Sequence, residues 1–134
     1  MDILDYEIEV DEAMLELKVM KLLLQPLVEN ALYHGIKNKR EKGIIKITGT
    51  LIDEDNNIRF AVFDNGAGMQ EETLKEITRE LEDDSTGINR KDRGFGLYNV
   101  HKRIQLYYGR EYGLSVKSSY MDWTEVALII RAVR

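Results

Sequence analysis

An α+β fold, a two-layer α/β sandwich with a mixed, mostly antiparallel sheet covered on one face by about three helices, follows from three features of this sequence. Two runs rich in β-branched and aromatic residues, Gly43 to Leu51 and Ile58 to Phe63, flank Asp53-Glu-Asp-Asn-Asn57. That connection is turn chemistry throughout, so the two runs are expected to form an antiparallel hairpin. Three other stretches carry apolar residues at the three-and-four spacing of an amphipathic helix. Strands and helices do not alternate regularly, which disfavours a series of parallel βαβ units.

In chain order, Tyr6 to Val10 alternates as Tyr-Glu-Ile-Glu-Val, a period of two that suggests a half-exposed strand at a sheet edge. Asp11-Glu12 then turns the chain toward a helix over about Met20 to Ile36. Met20, Leu23, Leu24, Leu27, Val28 and Ala31 form its apolar face, and Asn30, His34 and Lys37 fall together on another face. Pro26, inside the first turns, removes one backbone donor and is expected to bend or tighten the helix locally. Gly35 lies near its end.

After the hairpin, Asp64-Asn-Gly-Ala-Gly68 makes a sharp bend, and a short helix follows with Leu74, Ile77 and Leu81 on one face. Its first turn holds Glu71 and Glu72, where the helix dipole favours acids. From Glu82 to Arg93 the only large apolar residue is Ile88, which predicts either disorder or a functional lid. Leu97, Val100, Ile104, Tyr107 and Tyr108 define a last helix, opening after Gly94-Phe-Gly96 and stopping at Gly109. Leu114 to Ser118 and Thr124 to Val133 close the chain as two strands.

The 134 residues suffice for one domain, 1–134, with a proper core. With 43% hydrophobic and 32% charged residues the composition is globular. A formal net charge of −5 and the lack of any long basic stretch argue against nucleic acid as a partner. The absence of cysteine excludes disulfides and thiolate metal sites, and two histidines far apart in sequence make a histidine-based metal site improbable. No apolar run is long enough to span a bilayer and no basic signal-peptide region opens the chain, so the default compartment is the cytoplasm, with no direct membrane contact by this domain. A start this close to the first strand suggests a piece of a longer protein.

Chemistry is concentrated at three places. On the first helix an amide, an imidazole and an ammonium share a line that can hold a metal ion or an anion carrying one. In Asp64-x-Gly66-x-Gly68 a carboxylate stands where a strand leaves the sheet. There glycine allows positive φ and close approach of a flat ligand, and the carboxylate can accept from an exocyclic amine such as that of adenine. Gly94-x-Gly96 opens a helix whose free N–H groups and dipole favour an anion, with Arg90, Lys91 and Arg93 just before it. Each has an ordinary alternative: a solvated helix face, an Asp-Asn-Gly turn, a glycine hinge beside a charge run. Neither a dinucleotide fingerprint nor a P-loop is present.

Taken together in this order, Glu29-Asn30-Ala31-x-x-His34-Gly35, Asp64-x-Gly66-x-Gly68 and Gly94-x-Gly96-Leu97 resemble the N, G1 and G2 boxes of the GHKL family, which contains gyrase, Hsp90, histidine kinases and MutL and has the Bergerat fold. Leu24-Gln-Pro-Leu-Val-Glu-Asn-Ala and Gly96-Leu-x-Asn-Val-x-x-Arg103 look like the LytS/YesM type of bacterial sensor histidine kinase, and the likeness extends from Tyr6 to Val133. The resemblance implies ATP and Mg²⁺ as cofactors. Asn30 would coordinate the Mg²⁺ that bridges the phosphates. Asp64 would accept from the adenine amine, with Gly66 and Gly68 shaping the base pocket. Gly94, Gly96 and Leu97 would open the phosphate-binding helix, aided by Arg93, and His34 and Lys37 would line the ribose and phosphate side. Thr124 matches the family's Gly-Thr motif in the last strand. Trp123 departs from it by replacing the glycine, which puts the floor of the adenine pocket in question.

The gyrase, Hsp90 and MutL branches activate water with a glutamate one turn before the box asparagine. Pro26 occupies that position here, and Glu29 lies about 100° around the helix from Asn30. The resemblance therefore implies phosphoryl transfer to a histidine outside this chain, since neither His34 nor His101 stands in a dimerisation helix. The implied partners are the dimerisation and phosphoacceptor helix of the parent kinase, itself expected to be membrane-anchored, and a response regulator. A GHKL-type ATPase, an anti-sigma-factor-like serine kinase and a degenerate non-catalytic nucleotide-binding module remain as alternatives.

Overall fold

The computed structural model of the protein describes residues 4–9, 23–32, 43–54, 56–82 and 97–131. Five strands form one sheet: β1 (Leu4–Glu9), β2 (Gly43–Ile52), β3 (Asn57–Asp64), β4 (Gly113–Ser119) and β5 (Trp123–Arg131). Their order is β1-β2-β3-β5-β4. The described helices are α1 (Gln25–Asn30), α2 (Glu71–Glu82) and α3 (Leu97–Tyr108). The hairpin expected between β2 and β3 is present, in a register running from Ile45↔Asp64 to Ile52↔Asn57. Left-handed backbone at Asp53 (φ 54°) and Glu54 (φ 57°) closes it. β1 is an edge strand, as its alternation suggests, and it pairs parallel to β2. The intervening segment with α1 returns the chain to the same end of the sheet, as a parallel pair requires.

The side-chain period of two divides the sheet into two faces. On the helix-covered face, register-matched rows run Leu51–Ile58–Ile130, then Phe60–Leu128–Leu114, then Ile47–Val62–Val126–Val116. With the exception of exposed Leu51 and half-buried Val116 these residues are buried. Together with Leu23, Leu24, Leu27 and Ala31, Ile77 and Leu81, and Leu97, Val100 and Ile104 they form one core. Each buried Leu, Ile or Phe side chain contributes about 1.5–3 kcal/mol of transfer free energy. The opposite face carries the Arg59–Glu125 ion pair at 2.9 Å and the stacked rings of Phe63 and Trp123, 6.1 Å between centroids.

Two helices differ from their expected form. Around Pro26 the regular α segment is only six residues long, with wide π-type turns at 23–24 and 31–32. Pro26 occupies its first turn, where no backbone donor is needed. The distortion is thus a local widening on both sides rather than a tightening; the expected extension to Met20 and Ile36 lies outside the described residues. In α3 the buried face is Leu97, Val100, His101 and Ile104, continued by half-buried Tyr108. Tyr107, expected on that face, is 74% exposed. Steps of three and four from Ile104 lead to Tyr107 and Tyr108 alike, and among the described residues it is Tyr108 that meets a ring, that of Tyr112 at 6.0 Å.

Candidate functional site

The helix-covered face of the sheet is apolar through three rows and turns polar only in the fourth. There Ile45 pairs with Asp64, Asp64 with Thr124, and Thr124 with Ser118, so four strands contribute one residue each to a single line. Partners on neighbouring strands project to the same side with Cβ atoms about 5 Å apart. A carboxylate and two hydroxyls therefore stand side by side above an otherwise greasy floor. Asp64 and Thr124 are both buried, at 2% and 4% exposure. Burial of such groups is costly unless they are hydrogen-bonded, and here they are.

Asp64 Oδ1 accepts the N–H of Gly66 at 2.9 Å, closing a tight turn at the point where β3 ends. Asn65 continues the ladder beyond the strand: its Oδ1 accepts from Ile44 N at 2.7 Å while its own N–H donates to Ile44 O at 3.2 Å. Of the two glycines in this bend only Gly68 has positive φ, +68°. Its close approach is to the protein itself. A Cβ there would overlap the carbonyl oxygen of Ser119, and the neighbouring Ala67 O accepts from Met121 N. The bend after β3 is thus stitched to the β4–β5 turn.

The third stitch is Ser118. Its Oγ accepts from Met69 N at 2.7 Å and lies 2.8 Å from both Trp123 O and Thr124 Oγ1. Sequence reasoning passed over this serine, which reads as an ordinary polar residue in Ser118-Ser119. The available signal was parity, because Leu114, Val116 and Ser118 alternate toward the core side and a serine ends that inward row.

Trp123 leaves the floor of this region open. It is adjacent to Thr124 in a strand, so its side chain points to the opposite face, where it stacks on Phe63 at an interplanar angle of 28°. Replacement of a glycine by tryptophan here adds bulk to the outer face of the sheet and none beside Asp64.

Asn30 sits at the end of α1 and is 5% exposed, next to Leu27 and Ala31 in the buried set. The sequence pattern placed it on a separate polar face; the structure places it at the margin of the apolar one. Its Oδ1 is buried with no hydrogen-bond partner among the described residues. Leaving such an oxygen unpaired costs about 1–3 kcal/mol. A hard oxygen of this kind fits a hard cation that keeps most of its own waters. Among the described residues no cluster of three or more His, Asp or Glu could hold a metal unaided. Glu29, one residue earlier, is exposed, and its carboxylate accepts from Gln25 Nε2 at 3.3 Å.

Leu97 opens α3 and is buried at 3%. His101, one turn later, is buried too, and its Nδ1 accepts the N–H of Leu114 at 2.9 Å, which assigns the ring proton to Nε2. Gly113 lies against this ring, where a Cβ would overlap it. A ring enclosed in this way serves the fold. His34, Lys37, Arg93, Gly94 and Gly96 lie outside the described residues, as does the stretch expected as a lid from Glu82 to Arg93 except for Glu82, which ends α2.

A profile of the histidine kinase-, DNA gyrase B- and HSP90-like ATPase family matches residues 17–133. The sensor protein LytS of Oceanobacillus iheyensis is 30% identical over 118 residues, which cover 88% of this chain and 19% of that protein. The sensor histidine kinase YesM of Bacillus subtilis is 30% identical over 138 residues, covering 95% of this chain and 19% of its own length. The chain therefore spans about a fifth of the length of these relatives. Among solved structures, histidine kinase ThkA, in complex with the response regulator protein TrrA, superposes with a TM-score of 0.64 at 22% identity, over 97% of this chain and 34% of that one. The α+β sandwich built here is the fold of that kinase's matching part. The chain belongs to the histidine kinase-, DNA gyrase B- and HSP90-like ATPase family.

Proposed function

We propose that this domain binds Mg²⁺-ATP and holds it for phosphoryl transfer to a histidine on another segment of a LytS/YesM-type kinase. One observation carries the reading. Asn30 offers a buried amide oxygen with no partner among the described residues, while the adjacent Glu29 carboxylate is turned to solvent. In this reading Asn30 Oδ1 is the protein's ligand to the metal, and the nucleotide phosphates and water supply the rest. When bound, Mg²⁺ neutralises charge on the transferring phosphoryl group. Asp64 accepts from the adenine amine, Thr124 faces the same base edge, and Gly66 and Gly68 keep the bend tight beside it. Gly94, Gly96 and Leu97 present the start of α3 to the phosphates, Arg93 adds a charge-assisted donor, and His34 and Lys37 line the ribose and phosphate side. The segment from Glu82 to Arg93 closes over the nucleotide.

Hydrolysis by this domain needs a base next to the attacking water. Pro26 has none, and Glu29 faces away from Asn30. The domain therefore positions and neutralises, which is most of what phosphoryl transfer demands. Its proposed partners are the phosphoacceptor helix of the parent kinase and a response regulator, and its proposed place is the cytoplasmic side of a membrane-anchored parent. Among the described residues no helix is long and apolar enough to cross a membrane.

Phosphate release from Mg²⁺-ATP, followed with the isolated domain and then with the phosphoacceptor helix of a related kinase added, tests this assignment. The expected result is negligible turnover alone and a phosphohistidine on the added helix. Steady turnover by the domain alone, abolished by Glu29→Ala, would instead establish an ATPase.

A further inference from the structure

The hydroxyl of Ser118 has one hydrogen to give and two lone pairs to fill, and three partners surround it. Trp123 O is a carbonyl and can only accept, at 2.8 Å, so it takes the Ser118 hydrogen. Met69 N can only donate, at 2.7 Å, and fills one lone pair. The remaining contact, Thr124 Oγ1 at 2.8 Å, can then be made only with Thr124 as donor. The orientation of the Thr124 hydroxyl is thereby fixed by its neighbour in the row, Ser118, whose own hydrogen and one lone pair are taken by Trp123 O and Met69 N outside it. Its single hydrogen is committed to Ser118, and only its lone pairs remain for a ligand.

Beside it stands Asp64, paired with Thr124 in register and, as a carboxylate, an acceptor only. Two adjacent groups on the same face thus present acceptors and no donor. Resting on the nucleotide-binding reading above, we infer that Ser118 is a positioning residue for base selection. By holding the Thr124 hydrogen it makes this corner complementary to a six-position amine, directly or through water, and hostile to a six-position carbonyl. The ligand class selected is a 6-aminopurine nucleotide over a 6-oxopurine one. Without Ser118, Thr124 can rotate and donate its hydrogen to a ring carbonyl.

The experiment compares ATP with inosine triphosphate, which carries oxygen in place of the six-position amine. Dissociation constants for both are measured by calorimetry in Mg²⁺ on the wild-type domain, Ser118→Ala, Ser118→Thr and Thr124→Val, with thermal melts to verify folding. The wild type is expected to prefer ATP. Ser118→Ala should lower the ratio of the two affinities by about fivefold, the worth of one neutral hydrogen bond. Ser118→Thr, which keeps the hydroxyl, should restore the ratio, and Thr124→Val should be insensitive to a second change at Ser118. A purely structural role for Ser118 predicts a parallel loss for both nucleotides with the ratio unchanged, and that result, or an unchanged ratio with normal affinity, overturns the inference. Failure of the wild type to bind either nucleotide would overturn the underlying functional reading instead.

Discussion

At Gly68 the backbone is left-handed at φ +68° and pressed against the Ser119 carbonyl, so both conformation and space exclude a side chain. Gly68→Ala is expected to cost about 1–3 kcal/mol from backbone strain alone, with the overlap adding to it. Urea denaturation measures this, and an unchanged midpoint would contradict the geometry. Asn30 presents the reverse case, a residue whose burial opposes folding. Asn30→Leu removes an unpartnered buried oxygen and is expected to stabilise the fold by about 1 kcal/mol while abolishing Mg²⁺-dependent nucleotide binding. Stability and binding moving in the same direction would show that Asn30 serves the fold.

Among the elements, α3 shows how far periodicity reaches. Its bounds were legible from the glycines on either side, and its inner residues from their spacing, yet Tyr107 and Tyr108 could not be told apart until Tyr112 was placed beside one of them. Ile104 is fully buried and Leu106, two positions on, is 87% exposed. Ile104→Ala is therefore expected to cost about 2–5 kcal/mol, and Leu106→Ala at most about 0.5 kcal/mol; chemical denaturation of the pair checks the assignment of the two faces. The polar row was legible only in part for a similar reason. Asp64 is announced by its glycines and Thr124 by family likeness, but the Ser118 contacts join positions 49 residues apart, to Met69, and depend on strand order and register. Local patterns carry neither. Likewise the alternation in β1 marks an edge strand, while its parallel pairing with β2 is a matter of topology that the alternation does not carry.

For the molecule as a whole, the sheet is a graded object: apolar rows build the core, and the last row converts the same alternation into a polar edge. The fold holds Asp64, Thr124 and Ser118 rigidly because each strand of the row is paired on both sides or stitched through a turn. Asn30 is delivered separately, on a helix whose regular segment is a turn and a half long between widened turns. In the proposed reading, a sheet edge and a short helix together hold the nucleotide without supplying a water-activating base. The most direct measurement is a calorimetric titration of ATP into the domain with and without Mg²⁺, repeated on Asn30→Ala and Asp64→Ala. The account predicts Mg²⁺-dependent binding that loses its metal dependence in Asn30→Ala and is lost in Asp64→Ala. Absent binding by the wild type, or binding indifferent to both substitutions, would contradict it.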